Sequence, residues 1–396
     1  MVSLGKSDGY RGVVTTPGWL SWAVATFGAR LPVAMAPLAL VLVGHAATGG
    51  YVFGGLLVAA HTLGEALAAP ITGALVDRWS PRRTIAPCLA IEAALFGTLA
   101  LLVIADGADV LLLAVAALAG AIPAGAPGGL RSTLTHVVGA AALPRALSLD
   151  TVINQTCWAL APIIVSVCAG LASPTAAIAL VGVFPAIGMV AALYLPRTPG
   201  HATRETRTGL WALTLVLHRT LLLTAVLRLM LGAMTVAAPP LFDAASAPAL
   251  AGFALGAYAV GTAVGGLLYG MRRTWPGTHE QQADVCLLLL GIVIMSAFFV
   301  HHSVLFVLLY GVAGLLEGPV VLARSLHLED ILPGDRRAMG FSLQYAAIGW
   351  GFAAGGFVLA QIIGKATPQT ALTVIGGLVA AASLLALLLP SRRRRA

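Results

Sequence analysis

The chain has 396 residues, of which 59% are hydrophobic and only 10% charged, with a formal net charge of +8. Soluble domains carry about 25% charged residues, so this composition excludes a soluble globular protein and points to a bilayer, where lipid replaces the missing polar exterior. The positive charge does not mark a nucleic-acid binder, because the basic residues sit in short runs between apolar stretches and are not gathered on one face.

Residues 1–17 form a polar N-terminal segment that carries Lys6 and Arg11. No cleavable signal peptide is read there, since the first apolar run is long enough to span. A span needs roughly 20 predominantly apolar residues, and twelve such runs follow in chain order. The first six lie near 18–43, 51–76, 84–105, 109–135, 147–171 and 174–195, and make an N-terminal bundle over 18–195. The segment 196–211 is the longest polar interior stretch and reads as a linker. The next six lie near 217–241, 248–270, 283–300, 303–327, 339–364 and 370–390, within a C-terminal bundle over 212–390. The stretch 209–218 reads either as a surface helix or as the start of span seven. A basic tail, 391–396, ends the chain. The fold class expected is all-α integral membrane, with 12 transmembrane helices in two pseudo-symmetric six-helix bundles.

Orientation follows from where Lys and Arg fall. With the N-terminus inside, the inner segments hold Arg78, Arg82, Arg83, Arg145, Arg197, Arg204, Arg207, Arg272, Arg273, Arg336 and Arg337, while the outer loops hold only Lys365. Both ends are therefore expected in the cytoplasm of a cell-membrane protein. Arg392 to Arg395 are expected to rest on anionic inner-leaflet lipid. Cys88, Cys157, Cys168 and Cys286 lie in apolar runs without metal-ligand spacing and read as small buried hydrophobes.

The halves echo each other. Gly64 and Gly73 in span two match Gly261 and Gly270 in span eight; Pro127 and Arg131 in span four match Pro319 and Arg324 in span ten; Arg30 in span one matches Arg228 in span seven. Parallel repeats of this kind belong to transporters that bind substrate at the repeat interface near the midplane.

Residues 64–83, GEALAAPITGALVDRWSPRR, carry Gly64, Gly73, Asp77, Arg78, Arg82 and Arg83. This stretch resembles the signature between helices 2 and 3 of the major facilitator superfamily, with Ser80 where that family most often has Gly. The resemblance implies the major facilitator fold, a monomer, and a conformational latch around Gly73, Asp77, Arg78, Arg82 and Arg83 that ties the halves in the outward-facing state. Gly73 is expected to allow close helix approach, and Asp77 to accept from a neighbouring helix N-terminus. Span four, GAIPAGAPGGLRSTL, resembles the family's helix 4 motif with Arg131. Span five, NQTCWALAPIIVSVCAG, keeps Pro162 of the drug-antiporter signature but lacks its glycines, a departure from that subgroup.

Ionisable residues inside spans are costly and are functional candidates. The deep ones are Arg30, Glu65, Arg228 and Glu317, with Glu92 intermediate; Arg131, Asp150 and Arg324 lie nearer the inner ends. Arg131 and Asp150 are expected to pair as part of the latch. A buried charge wants a partner, and an unpaired desolvated carboxylate takes up a proton near neutral pH. Glu65, Glu317 and Glu92 are therefore candidates to carry a coupling proton, with fixed ion pairing as the alternative. The resemblance makes spans three, six, nine and twelve peripheral, which counts against Glu92. His61 lies one turn before Glu65 and reads either as its proton-handling partner or as packing. Arg30, Arg228, Asn154, Gln155, Trp158, Tyr258, Gln344, Tyr345 and Trp350 are candidates to line a central cavity, as an amphiphile site mixes aromatic and amide groups.

These readings give a secondary active transporter working by alternating access, drawing on the proton gradient without a cofactor or metal. Its expected cargo is a hydrophobic or amphiphilic small molecule, exported as in multidrug efflux. The alternative is proton-coupled uptake of a polar or anionic solute such as a sugar or organic acid. No nucleophile triad, metal cluster or phosphate loop supports an enzyme.

Overall fold

The computed structural model describes residues 10–79, 81–139, 142–196, 210–271, 275–331, 337–363 and 365–388. Inside helices, the side chains at 70, 74, 77, 78, 81, 132, 135, 144, 148, 210–216, 329, 337–342 and 345 are outside this description. The helices among the described residues are α1 (Tyr10–Val14), α2 (Trp19–Thr48), α3 (Tyr51–Trp79), α4 (Pro81–Ile104), α5 (Asp109–Ala121), α6 (Ala126–Val137), α7 (Leu143–Leu171) and α8 (Pro174–Ala192) in the first half. The second half holds α9 (Leu210–Ala244), α10 (Leu250–Met271), α11 (His279–Met295), α12 (Ser303–Ile331), α13 (Arg337–Ile363) and α14 (Pro368–Leu388). Twelve segments are long and apolar enough to cross a membrane. Helix is the answer such sequences must take, because lipid offers backbone groups no hydrogen bonds. Residues 1–9, most of the 196–211 linker and the 391–396 tail, with its four arginines, lie outside the described residues.

Local chemistry fixes several helix starts. Ser173 Oγ accepts from the Ala176 amide at 3.0 Å, with Pro174 at the first helical position of α8. Thr278 and Gln281 form a capping box on α11. That box starts α11 four residues before the expected 283, so Asp284 sits in the second turn of the helix instead of at its first residues. Residues 210–218 continue into α9 without a break, so no separate surface helix forms there. Span four is broken instead: Pro123 removes a backbone donor, and residues 122–125 form turns between α5 and α6.

Twelve crossings return the chain to the side where it began, here the terminal side; the opposite face is the far side. The repeat read in the sequence has a packing counterpart. A methyl group on Gly64 would overlap the Ala117 carbonyl oxygen of α5, and one on Gly261 would overlap the Gly311 carbonyl oxygen of α12. The first glycine of each pair thus seats span two on span four, and span eight on span ten. Gly73 behaves differently from expectation, since a methyl there would meet nothing within 4 Å. The close approach at that level belongs to Gly125, whose methyl would stand 2.6 Å from the Gly73 nitrogen. Gly73 offers its backbone to Gly125 of the 122–125 turn and turns its α-carbon substituent position toward open space.

The halves meet where α3 runs along α13 and α7 along α10, with α2 against α9. These contacts are tight toward the far side. A methyl on Gly252 of α10 would overlap the Pro162 carbonyl and the Ser166 side chain of α7. Tyr51 of α3 reaches Asp243 of α9 at 3.5 Å on the far side.

Candidate functional site

A cavity of about 560 Å³ lies between the halves. Its far end is closed by Pro37, Leu38, Pro162 and Leu255. Its other end reaches Arg131, whose side chain is 60% exposed, so the cavity opens toward the terminal side. The walls mix apolar surface from Val33, Leu231, Ile348 and Phe352 with charged and amide groups from both halves.

The N-terminal half contributes an arginine clamp. Arg30 Nη1 forms an ion pair with Asp150 Oδ1 at 2.7 Å and donates to the Asp150 carbonyl oxygen at 3.1 Å. Arg131 Nε stands 3.7 Å from Asp150 Oδ2. Asp150 was expected near the surface as the partner of Arg131; it is instead 2% exposed, and Arg30 is its closer partner. The reason is helix position: α7 starts at Leu143, which carries Asp150 two turns into the bundle and onto α2. Asn154, Gln155 and Trp158 follow on the cavity face of the same helix, and Asn154 Nδ2 donates to Gln155 Oε1 at 3.2 Å.

In the C-terminal half, Arg228 Nη1 donates to Glu317 Oε1 at 2.8 Å, and Thr262 Oγ1 donates to Glu317 Oε2 at 2.8 Å. Glu317 is 1% exposed, and Tyr258 beside it is 3% exposed. All four side chains line the cavity. The pair joins α9 to α12, with α10 holding the second carboxylate oxygen. Removing one member of such a buried pair costs about 3–5 kcal/mol, because the other is left as an uncompensated charge.

His61 and Glu65 of α3 also line the cavity. His61 Nδ1–H donates to the Ala116 carbonyl at 3.2 Å, which leaves Nε2 as the acceptor of the neutral ring. Glu92 is 1% exposed and stands off the cavity, and its Oε2 has no hydrogen-bond partner among the described residues. Of the span-eleven candidates, Gln344 and Trp350 are not brought to the cavity. Its cavity face is Ile348, Gly349 and Phe352. Trp350 lies 200° around the helix from Ile348 at 100° per residue and is 50% exposed. Gln344 is buried away from the cavity lining. The side chains of Tyr345, Asp77 and Arg78 lie outside the described residues. Arg82 is half-buried and Arg83 exposed at the start of α4.

One cluster went unforeseen. Asp284, fully buried, accepts from Arg219 Nη2 at 2.7 Å and from Arg324 Nη2 at 2.9 Å. Arg219 also pairs with Glu280 at 3.1 Å and donates to the Ala386 carbonyl at 2.6 Å. This knot ties α9, α11, α12 and α14 at their terminal-side ends. Its signal was available: Arg219 and Arg324 are two cations at the same membrane level, and Asp284 is the acid one helix away.

A family profile described as Major Facilitator Superfamily matches residues 18–278. No curated protein matches the chain in sequence. Among solved structures, the chain is similar to the nucleoside transporter NupG at TM-score 0.76 and 16% identity, covering 94% of this chain and 99% of that one. The peptide transporter POT in complex with sulfate matches at TM-score 0.75 and 14% identity, over 96% and 98%. The human organic anion transporter MFSD10 (TETRAN) matches at TM-score 0.64 and 17% identity, over 96% and 100%.

Proposed function

The chain belongs to the major facilitator superfamily and is a membrane transporter, not an enzyme; from that premise we propose that it exports amphiphilic small molecules in exchange for protons by alternating access. The observation that carries this reading is the Arg228–Glu317–Thr262 group on the wall of a cavity whose far end is apolar. A protonated Glu317 gives up its charge and frees Arg228. An ionised Glu317 can accept from the polar head of a cargo whose body lies on Leu231, Leu255 and Phe352. Proton and cargo then compete for one carboxylate, and competition between two ligands at one site is the linkage that exchange requires.

On this reading the cavity is open to the cytoplasm, because the arginine-rich loops lie on the terminal side. The protein sits in the cell membrane as a monomer, and its basic tail lies on anionic lipid. The latch residues Asp77, Arg78, Arg82 and Arg83 are assigned to the opposite state, in which the terminal side is closed.

A second reading is favoured by a specific observation: three arginines, Arg30, Arg131 and Arg228, line the cavity. When Glu317 is protonated, Arg228 needs another counter-charge, and an anionic cargo supplies it. Proton and anion then bind together, which drives cotransport and uptake.

Proteoliposomes carrying a pH dye separate the two. Lipophilic cations, neutral antibiotics, sugars and organic anions are offered in turn to wild type and Glu317→Gln. Proton movement opposite to a lipophilic compound, lost in Glu317→Gln, supports exchange. Proton movement with an organic anion replaces it by cotransport. Substrate flux without proton movement in any variant removes the proton from the mechanism.

A further inference from the structure

The proton reading above concerns the C-terminal half. The N-terminal half holds a buried carboxylate that this mechanism does not use. Glu92 sits in the middle of α4, ten residues from Arg82 and twelve from Ile104, and is 1% exposed. Its Oε2 has no hydrogen-bond partner among the described residues. An ionised carboxylate in that setting carries a large desolvation cost.

The packing register shows what faces it. Helices α3 and α4 run antiparallel and touch. The His61 ring of α3 packs 6.0 Å from the Phe96 ring of α4. One turn along each helix toward the terminal side, α3 brings Glu65 and α4 brings Glu92. Residues four apart share a helix face, so the contact of His61 with Phe96 sets Glu65 level with Glu92. The two carboxylates interact electrostatically. Glu65 lines the cavity and Glu92 is sealed behind it.

Among the described residues, the other elements packed on α4 bring it no neutralising charge at this level. Helix α8 has no titratable side chain, and α5 has only Asp109, at its far-side start. Helix α6 has Arg131, which is turned to Asp150 and solvent, and His136 near its terminal-side end. Arg30 of α2 is held by Asp150, and His45 lies near the far end of that helix. On α4 itself Cys88 lies one turn from Glu92.

We propose that Glu92 and Glu65 form a carboxylic acid–carboxylate pair that holds one proton in the N-terminal half, a proton site separate from Glu317. With Glu92 sealed from water and a second carboxylate at its level, the two are not both ionised. One proton, taken from cavity water at Glu65, leaves the pair with a single negative charge. A second proton makes it neutral. Glu65 is the water-facing member and Glu92 the store. The pair rests on the transporter reading for its purpose but not for its existence.

The test needs no cargo. Infrared spectra of the purified protein in detergent are recorded at neutral pH for wild type, Glu317→Gln, Glu92→Gln and Glu65→Gln. The expected result is a protonated-carboxyl band in wild type and Glu317→Gln that is lost in Glu92→Gln. In Glu65→Gln the band stays but its frequency moves, because its neighbour changes from a carboxylate to an amide. If Glu92→Gln does not fold, the frequency shift in Glu65→Gln carries the test. The proposal is overturned if wild type lacks the band, if the band survives in Glu92→Gln, or if Glu65→Gln leaves it unmoved. Loss of the wild-type band on adding sodium chloride at constant pH would also overturn it, in favour of a metal-cation site. None of these results depends on what the cavity carries, so failure of the pair and failure of proton-coupled export are read separately.

Discussion

The far-side seal between α7 and α10 gives the sharpest perturbation. Gly252 belongs to one half, and Pro162 and Ser166 to the other. A methyl on Gly252 would overlap the Pro162 carbonyl and press on Ser166 only while the far side is closed. Overpacking of this kind costs about 1–3 kcal/mol, and that cost falls on one conformation. It converts to a shift of about 5- to 150-fold in the ratio of the two states. Gly252→Ala is therefore expected to populate the form that opens on the far side. Spin labels at Ala47 and Ala249, both exposed on that side and in different halves, report the change as a longer distance population. Cys88, Cys157, Cys168 and Cys286 are first replaced so that only the two sites react. Gly355→Ala is the control. Its methyl would overlap the Leu229 carbonyl, and both residues lie in the C-terminal half. It should lower the melting temperature and leave the distance distribution alone. An unchanged distribution in Gly252→Ala, or the same shift in Gly355→Ala, would refute the reasoning.

Other expectations follow from the same geometry. Asp284→Ala leaves Arg324, 1% exposed, without its acceptor and should cost about 3–5 kcal/mol; a melting curve in detergent matching wild type would contradict it. Adding Arg324→Met to that variant should recover part of the loss, since the stranded charge is gone. Glu317→Gln should bind cargo with the same affinity at every pH tested, where wild type does not, as checked by binding titrations across pH. Trp158→Ala should weaken an aromatic cargo by up to about tenfold, on the scale of about 1.4 kcal/mol for an aromatic contact, whereas Trp350→Ala, outside the cavity, should leave transport unchanged.

Much of the fold was legible in the sequence because lipid imposes a simple rule on it. Twelve apolar runs had to be helices, and loop arginines gave their alternation. Gly64 and Gly261 marked matching close contacts in the two halves, while Gly73 did not make the approach expected of it. The cavity was less legible. A helix that packs on protein along one side and lipid along the other is apolar all round, so no amphipathic stripe marks which side faces inward. Trp350 was the candidate and Ile348 was not, and only the rotation of α13 turns Ile348 to the cavity. Charges told a different part of the story. The cost of Arg30 inside a span was plain, but its partner lies 120 residues away on another helix. Sequence shows that a buried charge needs a counter-charge; packing decides which one reaches it. Asp284 escaped notice because it lay at the edge of the expected span nine, and the capping box of Thr278 set that edge four residues earlier.

The broken fourth span sets the two repeats apart. Its counterpart α12 is one continuous rod from Ser303 to Ile331. Span four is an articulated limb: α5 stays seated on Gly64, while α6 follows a four-residue elbow at 122–125 and carries Arg131 midway along it. An elbow yields before a rod does. The mouth of the cavity is thus framed by one compliant jaw and one stiff jaw. Movement at the terminal side should begin on the Arg131 side, while the Asp284 knot keeps the opposite jaw in one piece.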